Sequence, residues 1–383
     1  MPGIDSPLPL TQVIKNRFYG ENNLPEPDFR SIYFPYGGYV ALRSDWSSDA
    51  LYAFMKVSRP GRGHMQNENN GVAFSAFGRK LLVNSSHNPY SPDGTWKGYG
   101  HSSLSYNTIA VDGYGQDGTG FAAPDTYTTP LKNRFLDGKA FSFAEGVYDR
   151  SYGGYNCIDP AKEKSVITDV RHRRQLLLLR EQNIMIVTDI VESEADHRFT
   201  QTWNFPPDFK QDEISAADGV ISATGPGDVN LAMYQFMDGP LEYEKFYGLK
   251  ENERILGWVA LADEASGLPM SPAVDLHCSW RSKGQKVLVT VIVPFKTANP
   301  VQSVKQLTQG KAKGVILTLA DGKTVQYLYG GEAEAWLKTD RAELTLLPGG
   351  GFEQDKNGKR TDIIIPETFN WIETPAGEFP HYK

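Results

Sequence analysis

The stretch Arg62–Asn84, RGHMQNENNGVAFSAFGRKLLVN, decides the fold of this chain and carries a dense polar cluster. Two short apolar runs, Val72–Phe77 and Leu81–Val83, flank the tripeptide Gly78–Lys80, and this pattern predicts a β-hairpin. The polar side chains lie before the hairpin, at Arg62, His64, Gln66, Asn67, Glu68, Asn69 and Asn70. Such a cluster indicates either a functional site at the mouth of the hairpin or a solvated loop in front of a structural hairpin.

Outside this stretch, the chain of 383 residues continues as short apolar runs separated by Gly, Asp, Asn and Pro. Several runs alternate between apolar and polar residues, and helical periodicity is nearly absent. We therefore predict an all-β protein, a large antiparallel β-sandwich with a smaller C-terminal β layer. The predicted division is a linker or domain remnant at 1–30, the β-sandwich at 31–310 and a small β subdomain at 311–383.

Charge and composition narrow the class of partner. The net charge of −7 is spread along the chain without a basic block, which argues against a nucleic-acid partner. An anionic polysaccharide is still compatible with this composition, because a local basic cleft can coexist with a negative net charge. No apolar run reaches the roughly 20 residues of a membrane helix, and the N-terminus lacks the pattern of a signal peptide. Cys157 and Cys278 are far apart, so both a disulfide and two free thiols remain open.

Several motifs together carry a family resemblance. The loop His64–Glu68, the run FGRKLLVN that ends at Asn84, and YNTIAVDG at Tyr106–Gly113 occur in the order seen in the heparinase II/III-like polysaccharide lyases. The strand-like segments 34–46, 170–191 and 197–208 resemble further strands of the same family. The chain thus resembles the β-sandwich half of these lyases over roughly residues 33 to 210. The resemblance implies β-elimination on uronate-containing polysaccharides, and a periplasmic or secreted location that the sequence itself does not indicate.

The resemblance also assigns candidate site residues. His64 matches the catalytic histidine of the family, and Tyr90 lies near a tyrosine that its members often carry. Further polar residues near the cluster are candidate substrate-binding groups: Arg62, Gln66, Glu68, Asn69, Asn70, Asn84, His87 and Tyr106. Structural alternatives stay open, namely a loop hydrogen bond for His64, an aromatic anchor for Tyr90 and loop capping for the arginine and asparagines. For His172 we predict a structural role.

Two departures from the family pattern matter. Family members carry an N-terminal helical toroid that supplies further catalytic groups. Since the toroid is missing here, we expect weak or no lyase activity from the isolated chain, and a separate toroid domain or chain is a candidate partner. At the three zinc-ligand positions of the family this chain has Gln66, Asn84 and Tyr106. Amides and a phenol are poor zinc ligands, so we predict no cofactor and a metal-free polar network, with Glu68 as its charged edge.

These observations leave two classes of function. The first is a polysaccharide lyase acting on a uronate-containing polysaccharide, or the β-sandwich part of one. The second is a non-catalytic carbohydrate-binding or scaffolding β-sandwich module, which the missing toroid favours. A glycoside hydrolase is disfavoured because Glu68 is the only carboxylate in the cluster, and that chemistry needs two.

Overall fold

The structure is a computed structural model. It describes residues 29–58, 66–85, 95–117, 128–138, 140–156, 158–159, 161, 165–251, 254–260, 270–309, 312–330, 337–338, 345–346, 351–354 and 360–364. Arg62, His64, His87, Tyr90 and Cys157 lie outside these residues. The described chain is almost entirely antiparallel β-structure, so the predicted all-β sandwich is confirmed.

Three large sheets build the sandwich. The first has the strand order β1-β2-β3-β4-β5: Ile32–Phe34, Tyr39–Arg43, Tyr52–Lys56, Val72–Ala76 and Arg79–Leu82. The second has the order β11-β10-β7-β6-β14-β23-β18: Val166–Ile167, Tyr152–Asn156, Tyr114–Gln116, Ile109–Val111, His197–Asn204, Val274–Ser282 and Glu242–Tyr247. The third has the order β15-β16-β17-β24-β13-β12-β9-β8: Ile214–Ala217, Val220–Ala223, Val229–Phe236, Lys286–Lys296, Ile184–Ser193, Val170–Leu179, Phe141–Tyr148 and Phe135–Asp137.

A smaller sheet follows toward the C-terminus. Its order is β25-β26-β27-β30-β31: Val301–Gln309, Ala312–Leu319, Thr324–Gly330, Gly351–Gln354 and Arg360–Ile364. The predicted domain division at 310/311 therefore falls between two paired strands, since Gln309 pairs with Ala312. Three two-stranded pairs complete the described strands: β19-β20 (Leu249–Glu251, Arg254–Leu256), β21-β22 (Trp258–Val259, Ser271–Pro272) and β28-β29 (Leu337–Lys338, Thr345–Leu346).

Helical structure is minor in the described residues. One α-helix, α1 at Thr95–His101, is followed by a 3₁₀ turn at Ser103–Ser105, and two more 3₁₀ turns lie at Gln211–Glu213 and Pro226–Asp228. The helix packs on the second sheet through a core cluster that includes Ala110 and Phe246, and its Trp96 meets Trp258 of β21 edge to face with ring centroids 5.1 Å apart. Among the described residues, no helix is long and apolar enough to cross a membrane.

The opening hairpin of the sequence forms as predicted, with one difference at its turn. Strands β4 and β5 pair, and Ala76 lies opposite Arg79. The turn is therefore Phe77-Gly78, both with positive φ (54° and 71°), rather than Gly78–Lys80. Two consecutive left-handed residues match the twist of the flanking strands, as in a type I′ turn.

The core explains why the strands alternate. Leu176 and Leu178 of β12 point into a cluster shared with the first sheet, whereas Leu177 and Leu179 point into a cluster shared with the smaller sheet. Because successive residues of a strand face opposite sides, a strand buried on both faces reads as a continuous apolar run. The run of leucines in β12 is thus the signature of a sheet buried between two others.

Candidate functional site

A cavity of ≈ 430 Å³ opens beside the hairpin of β4 and β5. Four of the sequence-predicted binding residues line it together: Gln66, Glu68, Asn84 and Tyr106. The other lining residues come from the first sheet and the segment after it: Tyr52, Ala73, Phe74, Ser75, Lys80, Leu82 and Val83. The polar loop, the end of β5 and the segment before β6 thus meet at one place, although they are separated in sequence.

Glu68 is the charged centre of the cavity. Its Oε1 lies 3.1 Å from Nζ of Lys56, which also donates to the Gln66 carbonyl oxygen at 3.3 Å. Both charged side chains are largely buried, with 14% of Glu68 and 7% of Lys56 exposed. Burial raises the pKa of Glu68, and Lys56 opposes this shift. A buried carboxylate with a raised pKa at a cavity wall is typical of functional sites.

Asn84 connects the loop to the following strand. Its Nδ2 donates to Oε2 of Glu68 at 3.4 Å, and its Oδ1 accepts from the backbone N–H of Asn107 at 3.4 Å. Of the predicted polar network, the described residues thus form the contact between its charged edge, Glu68, and Asn84. These contacts tie the floor of the cavity to the segment that enters β6.

Tyr106 differs from the predicted network. Its hydroxyl donates to the carbonyl oxygen of Gly100 in α1 at 2.7 Å, rather than to Gln66 or Asn84. Burial raises the pKa of Tyr106 well above its ordinary value, and the negative charge of Glu68 adds to the effect. The hydrogen bond ties α1 to the segment before β6. Because the phenol stays neutral, it could not act as a base near neutral pH.

Asn69 and Asn70 are not among the residues that line the cavity. The Asn69 backbone N–H donates to Oε1 of Gln116 at 2.8 Å. Asn70 is fully buried with a φ of 60°, and its Nδ2 donates to the carbonyl oxygen of His172 at 3.3 Å. These contacts correspond to the loop-supporting role that the sequence left open for both asparagines.

A buried ion pair fixes the far side of this loop. Arg174 donates through Nε to Oδ1 of Asp189 at 2.7 Å and through Nη2 to Oδ2 at 2.9 Å. Its Nη1 donates to the carbonyl oxygens of Asn70 and Asn107. His172, for which we predicted a structural role, lies with Nε2 2.6 Å from Asp189 Oδ1. The pair thus anchors the polar loop and the segment before β6 at the same point.

The close approach of this loop to the third sheet requires a glycine. A Cβ added at Gly146 would lie 2.0 Å from Oδ1 of Asn70 and 2.6 Å from Cγ1 of Val57. Gly146 pairs with Arg174 across β9 and β12, so it lies directly beside the ion pair. No side chain at position 146 can coexist with the observed loop without displacing it.

The remaining candidates fall into two groups. Arg62, His64, His87 and Tyr90 lie outside the described residues, so their proposed roles stay predictions. Three described histidines lie away from the cavity lining, and each contacts a carboxylate: His172 with Asp189, His197 with Asp112 and Asp169, and His277 with Asp275. Cys278 is a buried free thiol.

The donor set of the cavity does not fit zinc. Gln66, Asn84 and Tyr106, at the family's ligand positions, are two amides and a phenol held neutral by its raised pKa. No group of three or more His, Cys, Asp or Glu side chains that could hold a metal occurs within the part of the chain that the structure describes. Zinc prefers thiolate, imidazole and carboxylate ligands, so a metal-free site stays our prediction, testable by elemental analysis of the purified protein.

Replacing Asn84 by leucine tests the hydrogen bonds at the cavity floor. The change leaves the Asn107 N–H and Oε2 of Glu68 without the amide, so we expect the free energy of unfolding to fall by about 1–3 kcal/mol. Urea unfolding measures it. The matched control is Gln302→Leu on β25, where the amide is exposed and a change within about 0.5 kcal/mol is expected. Equal effects of the two variants would show that Asn84 contributes no structural hydrogen bond.

Sequence reasoning missed three residues around the cavity. Lys56 ends the run LYAFMK, where its neighbours indicate only a strand. Tyr52 and Lys80 lie on strands β3 and β5 and face the cavity from the first sheet. A signal was present in the alternation of β3, since Ala53 and Met55 face the core and Tyr52 therefore faces outward.

Comparison with known proteins agrees with this fold. The C-terminal model of the heparinase II/III-like family matches residues 26–297. The chain therefore belongs to the heparinase II/III-like family, through the C-terminal region of its members. No curated protein matches the chain.

Solved structures support the same fold. Heparan sulfate lyase HepC from Pedobacter heparinus matches with a TM-score of 0.58 and 14% identity, covering 84% of this chain and 45% of the lyase. A structure of heparinase III matches with a TM-score of 0.56 and 14% identity, covering 80% of this chain and 43% of that chain. This chain thus spans a little less than half the length of the solved lyases that it matches.

Proposed function

We propose that this chain is the β-sandwich part of a polysaccharide lyase that acts on a uronate-containing polysaccharide by β-elimination. The observation that carries the proposal is the single cavity that collects Gln66, Glu68, Asn84 and Tyr106. Two further supports are membership of the heparinase II/III-like family and the similarity in fold to a protein named as a heparan sulfate lyase.

The reaction sets the requirements for the site. A base removes the proton α to the uronate carboxylate, a carbon–carbon double bond forms, and the glycosidic bond breaks as its oxygen takes up a proton. Because the developing carbanion is strongly basic, the site must neutralise the carboxylate and hold the base against the carbon. In our proposal, the amides of Gln66 and Asn84 donate to the substrate carboxylate, while Glu68 accepts from a sugar hydroxyl. His64 and Tyr90, in the roles of base and acid, remain assignments by family resemblance.

The experiment that tests the proposal measures the ultraviolet absorbance of the unsaturated product over a panel of uronate polysaccharides. We expect slow release of product from at least one member of the panel, in keeping with the weak activity predicted for a chain that spans less than half of the solved lyases. We expect His64→Ala to lower this rate by about 10²- to 10⁴-fold. The matched control is His277→Ala, because His277 is a buried strand residue bonded to Asp275. A rate loss in His277→Ala as large as in His64→Ala, with urea unfolding showing both variants folded under the assay conditions, would remove the catalytic assignment of His64.

The second class of function has a distinct outcome in the same experiment. A non-catalytic carbohydrate-binding module would bind a uronate polysaccharide, as measured by calorimetry, and would release no unsaturated product from any member of the panel. Binding without product would overturn the lyase proposal and favour this alternative.

A further inference from the structure

One cross-strand row on the first sheet carries a cation at each end. Arg43 pairs with Tyr52, Tyr52 pairs with Ser75, and Ser75 pairs with Lys80. We call Arg43, Tyr52, Ser75 and Lys80 the cationic row. Directly opposed residues of antiparallel strands share one face of the sheet, so these four side chains lie side by side.

The cationic row faces away from the core. The flanking residues of the same strands, Leu42, Ala53 and Phe74, are buried in the core cluster of the sandwich. Because side chains alternate along a strand, the row must lie on the opposite, outer face. Lys80 is exposed, whereas Arg43, Tyr52 and Ser75 are half-buried.

The row is continuous with the candidate site. Tyr52, Ser75 and Lys80 line the same cavity as Glu68 and Asn84. Strands lie about 4.8 Å apart, so three spacings place the backbones of Arg43 and Lys80 about 14 Å from each other. Tyr52 and the small Ser75 between the cations form a floor that is wider than one pyranose ring.

Arg43 is held in a geometry suited to anion recognition. Its Cζ lies 4.5 Å from the ring centroid of Trp46 and 4.7 Å from that of Tyr52. Two rings around one guanidinium fix its plane and leave its N–H edge to donate, which favours bidentate binding of a carboxylate or sulfate. No ion pair of Arg43 or Lys80 with a carboxylate occurs among the residues that the structure describes.

We propose that the cationic row is an anion subsite that binds a carboxylate or sulfate group on a sugar next to the one held in the cavity. The proposal rests on the proposed function for its ligand class, an acidic polysaccharide. Charge complementarity selects this ligand, since the row is cationic on a chain of net charge −7 and the carboxylate at the cavity is already paired with Lys56. Tyr52 supplies an apolar ring face for the sugar between the two charged contacts.

The test measures binding by calorimetry of two oligosaccharides, one from alginate with carboxylates alone and one from heparan sulfate with sulfates as well. We expect Arg43→Gln and Lys80→Gln each to weaken binding about tenfold, the usual effect of losing one charge-assisted hydrogen bond. The weakening should shrink as salt concentration rises. If these variants bind both oligosaccharides more weakly, the row binds carboxylates. If they bind only the heparan sulfate oligosaccharide more weakly, the row binds sulfates.

Matched controls distinguish the effect of the cationic row on binding from the effect of the chain's overall charge. Arg171→Gln on β12 and Lys305→Gln on β25 remove the same charges at exposed positions outside the row, and binding should stay within about twofold of the parent. Arg43→Lys keeps the charge but loses the planar fork, so it should bind between the parent and Arg43→Gln. Urea unfolding should show each variant fully folded under the conditions of the binding measurement, which excludes a folding defect.

The outcomes also separate this proposal from the proposed function. Parental binding by both Arg43→Gln and Lys80→Gln would overturn the subsite and leave the lyase proposal intact. Weakened binding by these variants, with no unsaturated product from the parent, would support the subsite and overturn the lyase chemistry. If the parent binds neither oligosaccharide, both the subsite and the lyase proposal are overturned.

Discussion

Replacing Asp189 by asparagine is expected to lower the free energy of unfolding by about 3–5 kcal/mol, the usual cost of leaving a buried charge without its partner. Asp189 and Arg174 are both fully inside the protein, with 0% of each side chain exposed. An asparagine keeps the shape of the side chain but cannot neutralise the guanidinium. It also places an amide where His172 and Gln201 approach at 2.6 Å each.

Denaturant unfolding of Asp189→Asn beside Glu192→Gln measures this effect. Glu192 lies on the same strand and its carboxylate is 3.6 Å from Arg173, but both of these side chains are partly exposed. An exposed pair contributes at most about 1 kcal/mol, so Glu192→Gln should change stability only slightly. Similar losses in the two variants would contradict the assignment of Arg174 and Asp189 as the anchoring pair.

The pH dependence of the Asp189 contribution has a definite sign. Burial disfavours the charged form, but Arg174 and His172 outweigh it and hold the pKa of Asp189 well below its ordinary value. A lowered pKa in the folded state gives stability that is present above the unfolded pKa of about 3.9 and is lost as pH falls toward the folded pKa. The parent and Asp189→Asn should therefore differ by a constant amount around neutral pH and converge only in strong acid.

The strands could be predicted from the sequence because their signals are local. The hairpin of β4 and β5 and the leucine-rich β12 follow from alternation, apolar runs and a glycine in the turn. The sequence predicts the turn at Gly78–Lys80, one residue later than observed, because Phe77 adopts a positive φ that an aromatic residue rarely takes.

For the candidate site, the sequence predicts some of the residues but not the contacts that they make. Family resemblance groups Gln66, Asn84 and Tyr106 at one predicted site, and in the structure all three line one cavity. The contacts around these residues could not be predicted, because they depend on how the loop before β4 folds back on β3 and on where α1 lies. Lys56 pairs with Glu68 through such packing, and Tyr106 contacts a helix where the sequence showed no helical period.

Stability and function place opposed demands on Glu68. The raised pKa of this carboxyl means that the folded state disfavours its ionised form, so between the unfolded and folded pKa values stability falls as pH rises. Lys56 limits this cost through its ion pair at 3.1 Å. A cost that the fold tolerates at a cavity wall is expected where a charged group serves binding or catalysis.

Replacing Lys56 by methionine should expose this cost as a pH-dependent loss of stability. Without the ammonium, the folded-state pKa of Glu68 rises further, and the ionised carboxylate stays largely buried but has lost its cationic partner. We expect the free energy of unfolding to fall by about 2–3 kcal/mol near pH 8, less than for a fully buried pair because 14% of Glu68 is exposed. Near pH 4, where Glu68 is largely protonated in both states, the loss should be much smaller.

Urea unfolding at several pH values measures the difference between the parent and Lys56→Met. Lys305→Met, an exposed position on β25, is the matched control and should show no such pH dependence. The double variant Lys56→Met with Glu68→Gln lacks the titrating carboxyl, so its stability relative to Glu68→Gln alone should be the same at every pH. A loss in Lys56→Met that is the same at every pH would mean that the lysine contributes through the packing of its aliphatic chain and its bond to the Gln66 carbonyl, and that Glu68 is not held by its charge.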